Sequence, residues 1–193
     1  SIFRKRCEEY SESDLTKEVE DKLWEETIKE NIFIICKTPM AKSITKRTLV
    51  GFKDISTNAT YFDDLNNMMK NKSKQLTDRI TRMNYWIKKG VGELKFDAIV
   101  GNPPYQEMDG GAQASASPIY QHFVTTSKDI NPEYISFIMP TRWYVGGKGL
   151  DDFREEMLDD IHLRVLYDCL TPEDIFPNTN IRGGVCYFLW DSS

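Results

Sequence analysis

The stretch that most constrains this chain is residues 96–105, Phe-Asp-Ala-Ile-Val-Gly-Asn-Pro-Pro-Tyr. Phe96, Ala98, Ile99 and Val100 form a short apolar run, the length of one buried strand. Gly101 ends the run. Pro103 and Pro104 cannot donate to a sheet ladder, so no strand continues through them. Asn102 precedes a proline and is held extended. The expected result is a stiff turn at the carboxyl end of a strand, the place where open α/β sheets bind ligands. The turn presents one amide side chain, prolyl carbonyls and one aromatic ring.

That set suits a planar amine. The Asn102 side-chain oxygen and the Pro103 carbonyl can both accept hydrogen bonds from a single NH2 group, and Tyr105 can lie flat on the ring that carries it. Drawing both N–H bonds away from that ring makes the nitrogen lone pair more available, without a basic residue.

The rest of the chain reads as one ordinary α/β domain. Its 193 residues are enough for a real core. With 40% hydrophobic and 28% charged residues it is globular rather than disordered. The net charge of −5 argues against a chain that grips nucleic acid by itself. Cys7, Cys36, Cys169 and Cys186 stand far apart, as do His122 and His162, so neither a disulfide framework nor a metal site is expected. No apolar run reaches membrane-spanning length and the first residues lack a signal-peptide pattern, so the expected setting is the reducing cytoplasm.

Leu15, Val19, Leu23, Trp24 and Ile28 recur at helical spacing within residues 1–30. Residues 31–36 predict a buried strand and 40–49 a helix. Residues 51–60 are polar and read as loop. The pattern over 61–89 predicts a second long helix, the most basic region of the chain. Residues 106–117, rich in Gly, Ala and Ser, read as a mobile loop, followed by a helix opening at Pro118. Strands are expected at 134–139, 163–168 and 184–190, a helix at 150–158 and a turn-rich connection at 175–178. Gly146–Gly149 is a glycine-rich turn without the spacing of a nucleotide-binding loop.

The Asn102–Tyr105 tetrapeptide resembles the signature of amino-methyltransferases. Residues 135–143, 150–158 and 174–190 resemble, in order, the later part of an adenine-specific DNA methyltransferase of the Eco57I-like restriction–modification group. The resemblance covers residues 94–191 well and 31–50 faintly. It implies a Rossmann-like class I methyltransferase fold: a mostly parallel sheet with an antiparallel last strand. It also implies S-adenosylmethionine as methyl donor and a flipped adenine in double-stranded DNA as substrate. Asn102, Pro103, Pro104 and Tyr105 would be catalytic, and Phe188, Tyr120, Arg142 and Lys148 would be substrate contacts. Where the family places an acid for the cofactor ribose, this chain has Cys36 followed by Lys37.

The same resemblance makes the chain an incomplete catalytic domain. Residues 1–90 would be a helical region with one strand, and 91–193 the catalytic turn and the later half of the sheet. A glycine-rich cofactor loop and a DNA-recognition domain are expected elsewhere, with a restriction subunit or fused nuclease as a partner, so that the isolated chain would be inactive. Residues 31–36 are expected to shift inward beside the central strand, or another chain to fill that place. Two other readings stay open: methylation of a protein glutamine or of RNA, and a non-catalytic module of a restriction complex.

Overall fold

The structure, a computed structural model, describes residues 2–108, 116–177, 179, 181 and 183–193. In chain order the elements are α1 (Ile2–Glu8), α2 (Lys17–Asn31), β1 (Phe33–Cys36), α3 (Pro39–Val50), β2 (Asn58–Tyr61), α4 (Leu65–Asn71), α5 (Ser73–Ile80), α6 (Met83–Trp86), β3 (Ala98–Gly101), β4 (Gln106–Met108), β5 (Ala116–Pro118), α7 (Tyr120–Ile130), β6 (Tyr134–Pro140), α8 (Asp151–Asp159), β7 (Leu163–Cys169) and β8 (Val185–Asp191). Short 3-10 helices occupy Thr141–Val145 and Pro172–Asp174. Two compact units result: Ser1–Leu65 with Asn84–Val91, and Asn66–Met83 with Gly92–Ser193.

In the first unit, local sequence sets the helix starts. Thr16 caps α2 by accepting from the Val19 amide at 3.4 Å. Thr38 caps α3 by accepting from the Ala41 amide at 3.0 Å, with Pro39 in the first turn. Ile28, Val50 and Ile55 form the core, joined by Trp24, Ile32 and Leu49. The Trp24 indole donates to the Leu49 carbonyl at 2.9 Å. The region read as loop over 51–60 instead ends in β2, which pairs parallel with β1 from Phe33↔Asn58 to Cys36↔Tyr61. The Asn58 amide fixes that register by donating to the Lys29 carbonyl at 2.7 Å. Its polar sequence hid the strand, since two of its four residues carry no apolar bulk.

The long helix expected over 61–89 is three short ones. Lys72, with φ −139° and ψ 32°, breaks the first from the second. After Thr81 the backbone pairs sideways: Leu94 N donates to Thr81 O at 2.6 Å and Met83 N to Gly92 O at 3.1 Å. Those bonds take up groups that a continuous helix would have used internally.

The second unit is built on a four-stranded sheet in the order β3-β6-β8-β7. β3 and β6 are parallel, and β8 runs antiparallel to both of its neighbours. The antiparallel last strand is therefore as expected. Met139 opposite Cys186, Ile135 opposite Trp190 and Leu166 opposite Phe188 mark one face of the sheet. It is the buried face: Ile135, Met139 and Cys186 are fully enclosed, with Trp143, Tyr120, Phe153 and Met157. Ile138 opposite Tyr187, and Tyr187 opposite Tyr167, mark the other. That face is open, with Val100 74%, Tyr167 53% and Tyr187 41% exposed.

β1 does not pair with β3. Its partner is β2, and among the described residues β3 has β6 as its one hydrogen-bonded neighbour. Among those residues the other edge of β3 is unpaired, and Ala98, Val100 and Gly101 are exposed along it. Residues 106–108 and 116–118, expected to be loop, form the β4–β5 ladder, with Gln106 opposite Pro118. The rest of that loop, 109–115, lies outside the described residues, as does Asn178 of the 175–178 connection.

An ionic knot ties α7, α8, β7 and β8 together. Asp160 accepts from Lys128 Nζ at 2.7 Å, from the Trp190 indole at 2.8 Å and from the His162 amide at 2.9 Å. Its side chain is 12% exposed. Burial alone would raise its pKa, but the bonds from Lys128, His162 and Trp190 outweigh burial and hold it at about 2.

Candidate functional site

The parallel pairing of β3 and β6 places two loops side by side at one end of the sheet. Beyond Gly101, Asn102 is exposed, Pro103 buried, and Pro104 and Tyr105 half-buried. Beyond β6, the 3-10 helix begins at Thr141, whose backbone N–H donates to Gly184 O at 3.0 Å. Gly184 has no room for a side chain: a Cβ there would stand 2.8 Å from the Cys169 carbonyl. The start of α7 is tied to the tetrapeptide by Ile119 N donating to Tyr105 O at 3.4 Å. Asn102 and the Pro103 carbonyl thus sit on a turn held from the parallel strand on one side and from α7 on the other.

The other expected contacts divide sharply. Arg142 and Lys148 are exposed, Arg142 within the 3-10 helix and Lys148 in the glycine turn with φ 51°. Phe188 is 1% exposed and packs edge-on against Phe137, with ring centroids 6.3 Å apart. Tyr120 is likewise 1% exposed, edge-on to Phe153 at 6.2 Å. Neither ring offers a face to a ligand in this structure. The positions follow from burial on the helix-covered side of the sheet, the ordinary place for a strand aromatic.

The phenols and the thiol behind the turn are uncharged at physiological pH. Burial, with the nearby Cys186 thiol, pushes the Tyr105 phenol up to about 12. The same causes raise Tyr120 and Tyr144. Burial raises the Cys186 thiol despite the hydrogen bond from the Trp143 indole. Burial, and then the charge of Lys70, lowers His122, which keeps its imidazole uncharged. Uncharged acceptors on the turn suit activation of an amine by hydrogen bonding rather than by a charged base.

In the first unit, the carboxyl ends of β1 and β2 are adjacent, with Phe62 N donating to Cys36 O at 3.3 Å. Cys36 is buried and lies 3.8 Å from the Thr45 hydroxyl, so its thiol faces inward. One strand over from Cys36, Asp63 follows β2 and is exposed. Sequence reasoning passed over this carboxylate because β2 itself was missed. Among the described residues, no cluster of His, Cys, Asp and Glu is arranged to hold a metal ion, and no helix is long and apolar enough to cross a membrane.

Comparison with known proteins bears on these arrangements. An "Uncharacterized adenine-specific methylase" of Mycoplasma pneumoniae is 33% identical over 111 residues. The match takes in 56% of this chain and 26% of that protein, so the chain spans about a quarter of the length of its curated relative. Two solved structures share the fold. One comes from work on the assembly and conformational transition of the type I R-M system, with TM-score 0.54 and 13% identity over 98% of this chain and 35% of that one. The other comes from the DrdV–DNA complex, with TM-score 0.56 and 15% identity over 99% and 22%. The pattern of the Eco57I restriction-modification methylases matches residues 30–176, which include both parallel strand pairs and the Asn102–Tyr105 turn. The chain belongs to the Eco57I restriction-modification methylase family.

Proposed function

We propose that this chain carries the amine-activating half of a DNA adenine-N6 methyltransferase with a Rossmann-like catalytic domain. One observation carries the reading: Asn102 is exposed at the carboxyl end of a parallel strand, beside a carbonyl that a following proline cannot tie into a sheet. The Asn102 Oδ1 and the Pro103 carbonyl accept the two hydrogens of the adenine amine. The nitrogen lone pair turns out of conjugation, and the proton leaves to solvent after transfer. Tyr105 stacks on the extruded base. Preorganised acceptors lower the barrier because they do not reorient during the reaction.

Asp63, exposed after β2, is the carboxylate of the first unit that suits the nucleoside end of S-adenosylmethionine. Asp63 can accept from ribose hydroxyls or from the cofactor's adenine amine, a task Cys36 cannot perform. When bound, S-adenosylmethionine supplies an electrophilic methyl group. Double-stranded DNA is the substrate, engaged with a recognition domain and a restriction subunit or fused nuclease. Arg142 and Lys148, both exposed, can meet phosphate.

The test uses the full-length natural protein with tritiated S-adenosylmethionine and three substrates: DNA, RNA and a glutamine-bearing protein. Methyl transfer to DNA adenine, abolished by Asn102→Ala with cofactor binding retained, is expected. Near-normal activity in that variant would sink the assignment. Transfer to RNA or protein alone would move the enzyme to another substrate class.

A further inference from the structure

Cations are not spread evenly over this chain. Its net charge is −5, yet residues 70–82 carry Lys70, Lys72, Lys74, Arg79 and Arg82 against the single carboxylate of Asp78. All five cations are exposed. Among the described residues, no salt bridge engages Lys70, Lys72 or Lys74, whereas Arg6, Lys29, Lys53 and Lys128 are each held by a carboxylate. Residues 37–53 are also rich in cations, but there Lys42 lies over the Tyr61 ring, Arg47 over the Phe52 ring, and Lys53 is bonded to Asp21.

The three lysines do not serve the local fold. α2 and α3 start at threonine caps, whereas α5 starts at Lys72, which makes no side-chain cap bond, and its first turn holds Lys74 and no acid. Cations at that end oppose the helix dipole and forgo the usual cap. Like charges this close also repel one another. A local rule broken in this way is expected where residues serve a ligand. The segment is also fastened beside the Asn102–Tyr105 turn. Asn66 Nδ2 donates at 3.4 Å to Glu107 Oε1, two residues beyond Tyr105. Lys70 lies one helical turn after Asn66 on the same face of α4. α5 buries Leu76 and Ile80 and packs against α7. The entry to α7 is in turn bonded to Tyr105, through Ile119 N at 3.4 Å.

We propose that Lys70, Lys72 and Lys74, continued by Arg79 and Arg82, form a phosphate track that holds the backbone of double-stranded DNA beside the turn. The track deepens the DNA reading of the turn and rests on it. The eight residues of α5 rise about 12 Å, the length of about three to four phosphates along one strand. Phosphate contacts fix position and carry no sequence information, so base identity is read elsewhere. The track gives an acidic chain one local surface of the sign that DNA requires.

The test is fluorescence anisotropy of the full-length natural protein on duplex DNA over a range of salt. The variant combines Lys70→Gln, Lys72→Gln and Lys74→Gln. Each phosphate contact contributes about 0.9 to the slope of log affinity against log salt, so the slope should become shallower by about 2.7. Between about 50 and 200 mM salt the wild type should therefore lose about 40-fold more affinity than the variant. The variant should keep the wild-type melting temperature, since all three side chains are exposed. A control with the same change in net charge combines Lys5→Gln, Lys22→Gln and Lys46→Gln, exposed lysines of the first unit; its slope should stay at the wild-type value. An unchanged slope in the folded triple variant overturns the track, and so does an equal change in the control. A slope that becomes shallower on RNA but not on duplex DNA overturns the DNA assignment of this surface. Absence of DNA methylation by the unaltered protein would instead strike the functional reading and leave the binding result standing.

Discussion

Replacing Asp160 with asparagine tests how the second unit is held together. The carboxylate collects three donors, from α7, from β8 and from the turn before β7, while its side chain is 12% exposed. Its pKa falls from 3.8 to about 2 on folding. At 1.36 kcal/mol per unit, that shift corresponds to roughly 2 kcal/mol of charge-dependent stability. Because the folded pKa is the lower one, this stability is fully present above pH 3.8 and is lost as pH falls toward 2. Asp160→Asn keeps one acceptor but loses the charge. It should lower unfolding free energy at pH 7 by about 1.5–3 kcal/mol, the range for a hydrogen bond to a charged group. Lys128 is not orphaned by the change, since Glu156 stands 2.7 Å away, so the loss should stop short of that for an isolated buried charge. Urea unfolding followed by tryptophan fluorescence reads this directly. The gap between wild type and variant should be widest at neutral pH and should shrink below pH 3. A gap under about 0.5 kcal/mol at pH 7, well below the range predicted for a charged hydrogen bond, or one independent of pH, would refute the reasoning.

Phe188→Ala should cost about 3–5 kcal/mol of stability by cavity formation, measured by the same unfolding experiment; an effect on methylation with stability unchanged would place the ring at the substrate instead. Val100→Ser should cost under about 1 kcal/mol, because the side chain is 74% exposed and has little transfer energy to lose. Asp63→Asn should weaken S-adenosylmethionine binding about 10-fold by isothermal titration, since one charge-assisted bond becomes neutral; an unchanged dissociation constant removes Asp63 from the cofactor's surround. Gly184→Ala should destabilise the second unit, because its Cβ would stand 2.8 Å from a carbonyl oxygen, and a melting temperature equal to wild type would show that the turn can give way.

The strands with continuous apolar runs were legible from sequence: Phe33–Cys36, Tyr134–Pro140, Leu163–Cys169 and Val185–Asp191 fall close to their expected places. So did the turn after β3, because glycine followed by two prolines leaves the backbone few choices. β2 was not legible. Its sequence, Asn-Ala-Thr-Tyr, has no periodicity, and its strand state comes from pairing with β1 and from the Asn58 amide bonds. The basic stretch over 61–89 carried a true helical pattern, but a pattern cannot reveal that Thr81 and Met83 would bond to Leu94 and Gly92. The tetrapeptide at the site was plain. Phe188 and Tyr120 are buried, edge-on to Phe137 and Phe153, a packing that the family pattern does not reveal.

The position of β8 has a consequence for the order of assembly. It follows β7 in the chain, yet it lies between β6 and β7 in the sheet. β7 has no strand neighbour other than β8 among the described residues. During synthesis, therefore, β7 emerges before its partner exists, and its backbone N–H and C=O groups must wait for β8 to pair. β6 meanwhile can already pair with β3. The sheet should grow from its parallel half and then close in a single late step that docks two strands at once. Such late, non-local pairing is slow and leaves apolar strand surface open to other chains. A ribosome stalled before β8 emerges would hold a half-sheet prone to self-association, and chaperone demand on this fold should peak at that moment.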